Sequence, residues 1–250
     1  MPLPLLLPIV FLASCILTMV GLGGGLIFSP LFILLKFPVT TAVSASLFLN
    51  GIAATSAAYT YFRKRMVDVR IGLPLLIAST LSAPLGAMIT TRINLRIFMI
   101  VLALVIIAAA LRMLFSKKTE MEAVPVGTIK RVVGGAGIGA LIGLMAGLLG
   151  IGGGVFIVPL LIYFLKIPTK TAAATSIFIV VFSSFSGFVT HVSLAKTEWK
   201  FILTTALFSF AGGQIGSRIM AEKLKGRTVR QIFGVVLLLF AFKLIQRAFL

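Results

Sequence analysis

A glycine cluster occurs twice in this chain, each time inside an apolar run. Gly21-Leu22-Gly23-Gly24-Gly25 leads on to Pro30, and Gly150-Ile151-Gly152-Gly153-Gly154 leads on to Pro159. Both copies read G-x-G-G-G-x-x-x-x-P. Each glycine costs a helix interior about 1 kcal/mol relative to alanine, so neither run continues through its cluster as one stable helix. In a bilayer, broken backbone is tolerated only where protein or a water-filled cavity satisfies the freed N–H and C=O groups. A break made at two matching places predicts a binding site.

The bilayer follows from composition. The 250 residues are 60% hydrophobic with a mean hydropathy of +1.18, too apolar for a soluble domain that must cover itself with polar surface. Apolar runs at 3–35, 40–62, 71–91, 97–115, 132–165, 171–195, 201–221 and 229–249 are separated by clusters of Lys and Arg. Most come near or above the ~20 residues that cross a bilayer. The net charge of +18 sits at the ends of these runs, where loops meet anionic headgroups, so membrane lipids and not nucleic acid are the expected polyanionic partners. The start, Met1-Pro2-Leu3-Pro4, has no basic residue and no small-residue cleavage pattern after its apolar stretch, which predicts a retained first helix. The single cysteine, Cys15, excludes an intrachain disulfide and is expected to pack.

The halves resemble each other beyond glycine. Pro38, Thr41, Ala42, Ser46 and Phe48 match Pro168, Thr171, Ala172, Ser176 and Phe178 at a constant offset of 130, as do Asp68, Arg70 and Gly86 with Glu198, Lys200 and Gly216. The chain divides into a first transmembrane repeat at 1–115, a polar linker at 116–130 and a second repeat at 131–250. The predicted fold is all-α: a polytopic membrane protein of two homologous halves with helices broken at the glycine clusters.

The orientation of the halves depends on the first run. As one helix, 3–35 would be about 50 Å long, more than a bilayer needs. The glycines therefore split it into a helix at 4–20 and a shorter piece at 26–36. A piece returning partway gives four crossings per half and parallel repeats; a completed crossing gives five and inverted repeats. Four crossings distribute the basic residues 13 against 10 between the two sides, five crossings 16 against 7. The second split is a positive-inside asymmetry, which favours inverted repeats with both termini outside and the linker cytoplasmic.

Inverted repeats with interrupted helices place a site near the membrane midplane. Glycine permits close backbone approach, and the first N–H groups of the following helix attract anions. This marks Gly23, Gly24 and Gly25, with Gly152, Gly153 and Gly154, as candidate substrate-binding residues. Hydroxyls and an amide follow each break: Thr41, Ser44, Ser46 and Asn50 in the first half, Thr171, Thr175 and Ser176 in the second. Thr41 with Ser44, and Thr171 with Thr175, share a helix face. Taken singly, such residues more often pack helices or bond the i−4 carbonyl; the matched pair Ser46 and Ser176, beside duplicated glycines, is the stronger signal.

All five acids, Asp68, Glu120, Glu122, Glu198 and Glu222, fall at predicted helix ends or loops. A membrane cation site usually needs interior carboxylates, and a transition metal needs His, Cys or acids. A metal site and a cofactor are therefore not expected, and a small anion held by backbone N–H, Ser and Thr is. The same scarcity argues against an obligatory proton relay and against an intramembrane hydrolase, so the chain is not expected to be an enzyme. The one histidine, His191, is read as an interface residue or a proton sensor, while Asp68 and Glu198 are read as loop-orienting caps. Gly135-Ala136-Gly137-Ile138-Gly139-Ala140 satisfies G-x-G-x-x-A without the strand or the later acid of a dinucleotide site. Gly135, Gly139, Gly143 and Gly147 form instead an i, i+4 ladder for close packing, within the protomer or across a homodimer.

The duplicated cluster, the Pro after it, and Pro38-x-x-Thr41-Ala42-x-x-x-Ser46 with its copy at Pro168 to Ser176 resemble the TauE/SafE family of sulfite exporters, grouped also with toluenesulfonate uptake permeases. The likeness covers essentially the whole chain. It implies a multi-pass plasma-membrane transporter, in a bacterium of the inner membrane, carrying sulfite, sulfoacetate or another organosulfur or small organic anion. Export of sulfite is the leading expectation. The alternatives are import of a sulfonate or carboxylate against the membrane potential, and a membrane scaffold whose glycines serve packing alone. The second copy departs from the first at Ala174 and Val180, where the first has Ser44 and Asn50, so any site is asymmetric.

Overall fold

The computed structural model describes residues 3–22, 25–89, 95–115, 128–149, 154–192 and 199–249. Ten helices and no strand are present among them: α1 Leu3–Val20, α2 Gly25–Leu34, α3 Val39–Arg63, α4 Val69–Ile89, α5 Leu95–Phe115, α6 Thr128–Leu149, α7 Gly154–Phe164, α8 Thr169–Val192, α9 Trp199–Glu222 and α10 Gly226–Phe249. Eight have lengths suited to a bilayer. The exceptions are α2, with 10 residues, and α7, with 11, about 15 Å each at 1.5 Å per residue. Both begin on the last glycine of their cluster. Each also holds its repeat-related proline, Pro30 or Pro159, in its interior, where the missing N–H takes a helical donor from the carbonyl four residues earlier.

The starts and stops have local causes. Pro38 flanks α3 in extended backbone, φ −53° and ψ 140°, as proline favours at a helix entrance. At the end of α1, Leu22 N donates to Leu17 O at 3.0 Å while Gly21 takes a φ of +85°, the Schellman arrangement that glycine accommodates without strain. The same six-residue closure ends α2 and α3, with Lys36 and Arg65 at positive φ.

The chain forms two compact units, residues 1–72 with 170–224, and residues 73–169 with 225–250. They do not coincide with the sequence repeats, since each draws helices from both.

In the first unit, side-chain register gives helix direction. Gly212 and Gly216 of α9 lie on the carbonyls of Phe11 and Cys15 of α1, so α1 and α9 run parallel. Leu49 O accepts from Ser209, and Thr60 meets Gln214, so α3 also runs parallel to α9. It follows that α1 and α3 point the same way, and that α2 with its flanking residues returns the chain between them. Because α2 alone covers about 15 Å, residues 35–38 carry part of that return. Against α8 the order reverses: Leu47 packs on Gly187, Asn50 bonds Ser184, and Phe62 meets Phe178 edge-on. The repeat-related helices α3 and α8 are therefore antiparallel. The core of this unit joins Leu6, Val10, Phe28, Phe32, Ala45, Leu49 and Ile202, and the Phe37 and Phe201 rings stack at 5.0 Å.

In the second unit, a Cβ on Gly139 would strike the Leu75 backbone, and one on Gly143 the Ser79 backbone and the Ser82 hydroxyl. Hence α6 lies parallel to α4, and the glycine ladder is used for packing inside the protomer. The helix α10 packs along α5, where Gly234 meets Leu114.

Candidate functional site

The first helix break is surrounded by hydrogen-bond partners for the carbonyls that α1 leaves at its end. Leu22 N takes Leu17 O. The Tyr61 hydroxyl, fully buried at the foot of α3, donates to Thr18 O at 2.8 Å. Ser176 of α8 donates to Gly21 O at 2.6 Å. A Cβ on Gly21 would stand 2.6 Å from Ala173 Cα, so α8 backs directly onto the turn. Burying carbonyls without donors costs about 1–3 kcal/mol each, and these three partners remove that cost on the α1 side. On the α2 side the first-turn N–H groups, from Gly25 onward, have no acceptor within their own helix; they supply the positive end of a helix dipole.

Thr41, Ser44, Ser46 and Asn50 are all buried in α3. Asn50 Nδ2 donates to Ser184 Oγ of α8 at 2.7 Å, tying together the two repeat-related helices. Ser44 is fully buried, and its Oγ has no hydrogen-bond partner among the described residues. Ser44 and Ser46 stand about 200° apart around the helix, so they face different neighbours, whereas Thr41 shares the side of Ser44.

In the second copy two of the hydroxyls, Thr175 and Ser176, are engaged with backbone. Thr175 Oγ1 accepts from Asp68 N at 3.0 Å, which leaves its own O–H as a donor. Ser176 spends its donor on Gly21. Thr171 is half-buried at the start of α8. Asp68 Oδ1 accepts from Arg70 N at 3.1 Å, an N-cap on α4, in line with the capping role expected of it. Gly154 and Gly25 each open a short helix; Gly23, Gly24, Gly152, Gly153, Glu198 and the His191 side chain lie outside the described residues.

Further buried polar residues had no signal in the sequence reading. Ser14 and Ser209 share a hydrogen bond of 2.8 Å, and Ser209 also reaches Leu49 O at 2.9 Å. The Gln214 amide lies between Ser56 and Thr60, and with its oxygen toward Thr60 it also accepts from the Arg218 guanidinium at 3.1 and 3.2 Å. These residues join α1, α3 and α9 through bonds spanning more than 150 sequence positions. Only Gly216, through its match to Gly86, had pointed to this face of α9.

Long apolar helices, two of them interrupted by glycine and proline, with buried hydroxyls beside a break, define a polytopic membrane transporter. Large side chains on the outside are apolar: Leu81 is 71% exposed, Leu207 70% and Leu239 66%, an arrangement suited to lipid and not to water. The sulfite exporter TauE/SafE family matches residues 6–244, and the chain belongs to that family. Among curated relatives, it is 28% identical to the probable membrane transporter protein YunE of Bacillus subtilis, over 94% of each chain. It is 27% identical to a probable membrane transporter protein of Xylella fastidiosa, over 93% of this chain and 90% of the relative. No solved structure matches it.

Proposed function

We propose that this transporter moves a small sulfur-containing oxyanion, sulfite in the first instance, outward across the plasma membrane. The observation that carries the reading is the Ser44 hydroxyl: fully buried near the start of α3, among the hydroxyls that follow the first glycine cluster in sequence, and without a hydrogen-bond partner among the described residues. A buried hydroxyl left unmade costs about 1–3 kcal/mol, a cost that an anion accepting its hydrogen would recover. Thr41 on the same helix side is the further side-chain ligand there; Thr175, which accepts from Asp68 N beyond the other end of α3, keeps its O–H as a donor beside the first break and is not a ligand to the same anion. Gly23, Gly24 and Gly25 are proposed as backbone donors to the anion, reinforced by the dipole of α2, which begins at Gly25. In the second unit, Gly152, Gly153 and Gly154 are the repeat-related candidates for backbone donors of the same kind. Ser46, Asn50, Thr171 and Ser176 hold the helices that present these groups.

Two inverted repeats would rock between outward- and inward-open states. The antiparallel course of α3 and α8, which the offset of 130 makes counterparts, supports that arrangement, as does the 16 to 7 division of basic residues. With the interior negative, outward movement of an anion is favoured by about 2.3 kcal/mol per charge per 100 mV, so export requires no coupled ion.

The test is flux into and out of proteoliposomes under an imposed potential. Sulfite movement above that of empty vesicles, driven by potential alone, is the expected result. Dependence on a sodium or proton gradient would favour import of an organic anion instead, and absence of flux for every sulfur oxyanion would remove the substrate assignment.

A further inference from the structure

Among the described residues, three side-chain-bearing positions take a left-handed backbone: Lys36 at φ 64°, Arg65 at 52° and Lys166 at 53°. Two of them are one position of the repeat. Lys36 and Lys166 stand at the offset of 130, each two residues before a matched proline, Pro38 or Pro168, and just past a short helix, α2 or α7. The residue after each lysine closes back into that helix, Phe37 N to Phe32 O at 3.1 Å and Ile167 N to Leu161 O at 3.2 Å. Around Lys36 the turn is pinned, because Leu35 and Phe37 pack on the core and the Phe37 ring stacks on Phe201. Glycine or asparagine is the ordinary occupant of such a position, since other side chains crowd their own backbone there.

Both lysines are exposed, and neither ammonium has an acceptor among the described residues. The helix dipole does not account for them, as a cation elsewhere in the last turn would meet it without left-handed backbone. Membrane orientation does not either: in the five-crossing arrangement Lys36 belongs to the minority of basic residues on the charge-poor side. Strain kept in both copies points to a use for the charge. Lys36 precedes α3 by three residues and Lys166 precedes α8 by three, and α3 and α8 run antiparallel. The two helices therefore begin at opposite ends of the pair. Chain length alone keeps each lysine within about 11 Å of its helix start, and Thr41 and Ser44 lie in the first two turns of α3.

On the reading that a small oxyanion is the cargo, we propose that Lys36 and Lys166 are its recruiting charges, one for each side of the membrane. An exposed ammonium concentrates anions at the point of entry, and salt weakens the effect. It acts on encounter, so KM carries the effect and the maximal rate does not.

The experiment is sulfite flux in both directions through the full-length protein, reconstituted in one orientation in phosphatidylcholine vesicles. Glycine suits the left-handed turn better than lysine, so Lys36→Gly should unfold at the wild-type temperature or about 3 °C above it. Its KM should rise about fivefold from the face that carries residue 36 and less than about twofold from the other. Lys166→Gly should show the reverse. Lys36→Arg should keep the wild-type KM, and the defect of Lys36→Gly should fade in about 0.5 M salt. Arg65→Gly, left-handed but matched in the repeat by Ala195, should leave flux unchanged. Wild-type KM in both lysine variants, with sulfite still carried, overturns recruitment and leaves the transport reading standing; absence of sulfite flux in the wild-type protein overturns both. The same rise in Arg65→Gly would trace it to total surface charge and overturn the assignment to these positions. A lowered thermal midpoint with a lowered maximal rate would make the lysines structural, and a defect confined to vesicles that contain phosphatidylglycerol would give them to lipid headgroups; either result overturns the proposal.

Discussion

Ser176 gives its hydroxyl hydrogen to the carbonyl of Gly21 at 2.6 Å, so a helix of the second sequence copy closes the break made by the first. Both partners are buried, and the carbonyl has no second donor from α1 itself, whose closing bond goes from Leu22 to Leu17. Replacing Ser176 with alanine leaves a buried C=O unmet. A loss of about 1–3 kcal/mol is expected, measurable as a lowered thermal midpoint of the detergent-solubilised protein. An unchanged midpoint would mean that water replaces the hydroxyl.

Ser44 predicts the opposite sign. Its Oγ has no partner among the described residues, so Ser44→Ala removes an unmet polar group and should leave the empty protein as stable or about 1 kcal/mol more stable. Transport should fall nonetheless, because the anion loses one donor; about tenfold is the expected decrease in flux at subsaturating sulfite. Loss of stability together with flux would assign Ser44 a structural role and count against the proposed site.

Element positions were largely readable from the sequence. The apolar run at 40–62 became Val39–Arg63, 97–115 became Leu95–Phe115 and 201–221 became Trp199–Glu222, because proline, glycine or clustered basic residues bound each run. The split of the first run fell where glycine density predicted it, with helices at Leu3–Val20 and Gly25–Leu34 against an expected 4–20 and 26–36. The pairing of hydroxyls was not readable. Asn50 meets Ser184, and Ser14 meets Ser209, across 134 and 195 positions, and nothing local to a serine in an apolar helix tells which neighbour it will meet. Nor does the match of Ser46 with Ser176 show in the sequence that Ser176 gives its hydrogen to Gly21 O. The membership of the two compact units was equally hidden, since each takes helices from both sequence halves and no local feature marks that exchange.

The Asn50 to Ser184 bond is a candidate for coupling between the repeat-related helices. Asn50→Ala, Ser184→Ala and the double variant form a cycle whose interaction energy should be about 1 kcal/mol, read from unfolding midpoints. Additive effects would show that the bond carries no coupling and that each side chain acts through other neighbours.

Orientation is open to direct chemistry. The 16 to 7 division of basic residues favours a cytoplasmic linker. With Cys15 replaced by serine, a cysteine at Thr119 should react with an impermeant thiol reagent only after cells are opened. Labelling on intact cells would reverse the topology, and with it the side on which the first break faces.

The glycines of α6 give a paired prediction with opposite outcomes two turns apart. A Cβ on Gly137 meets nothing within 4 Å, whereas one on Gly143 would strike the Ser79 backbone and the Ser82 hydroxyl. In an open helical position alanine gains about 1 kcal/mol over glycine, so Gly137→Ala should be neutral or mildly stabilising. Gly143→Ala must push α4 away from α6, since the obstructing atoms include backbone that cannot rotate aside, and overpacking of this kind costs about 1–3 kcal/mol. The measurement is thermal unfolding of both variants in the same detergent, with oligomeric state followed by size-exclusion light scattering. A ladder that packs inside the protomer predicts a lowered midpoint for Gly143→Ala and the same molecular mass as wild type. A halved mass with an unchanged midpoint would assign the ladder to a dimer contact instead.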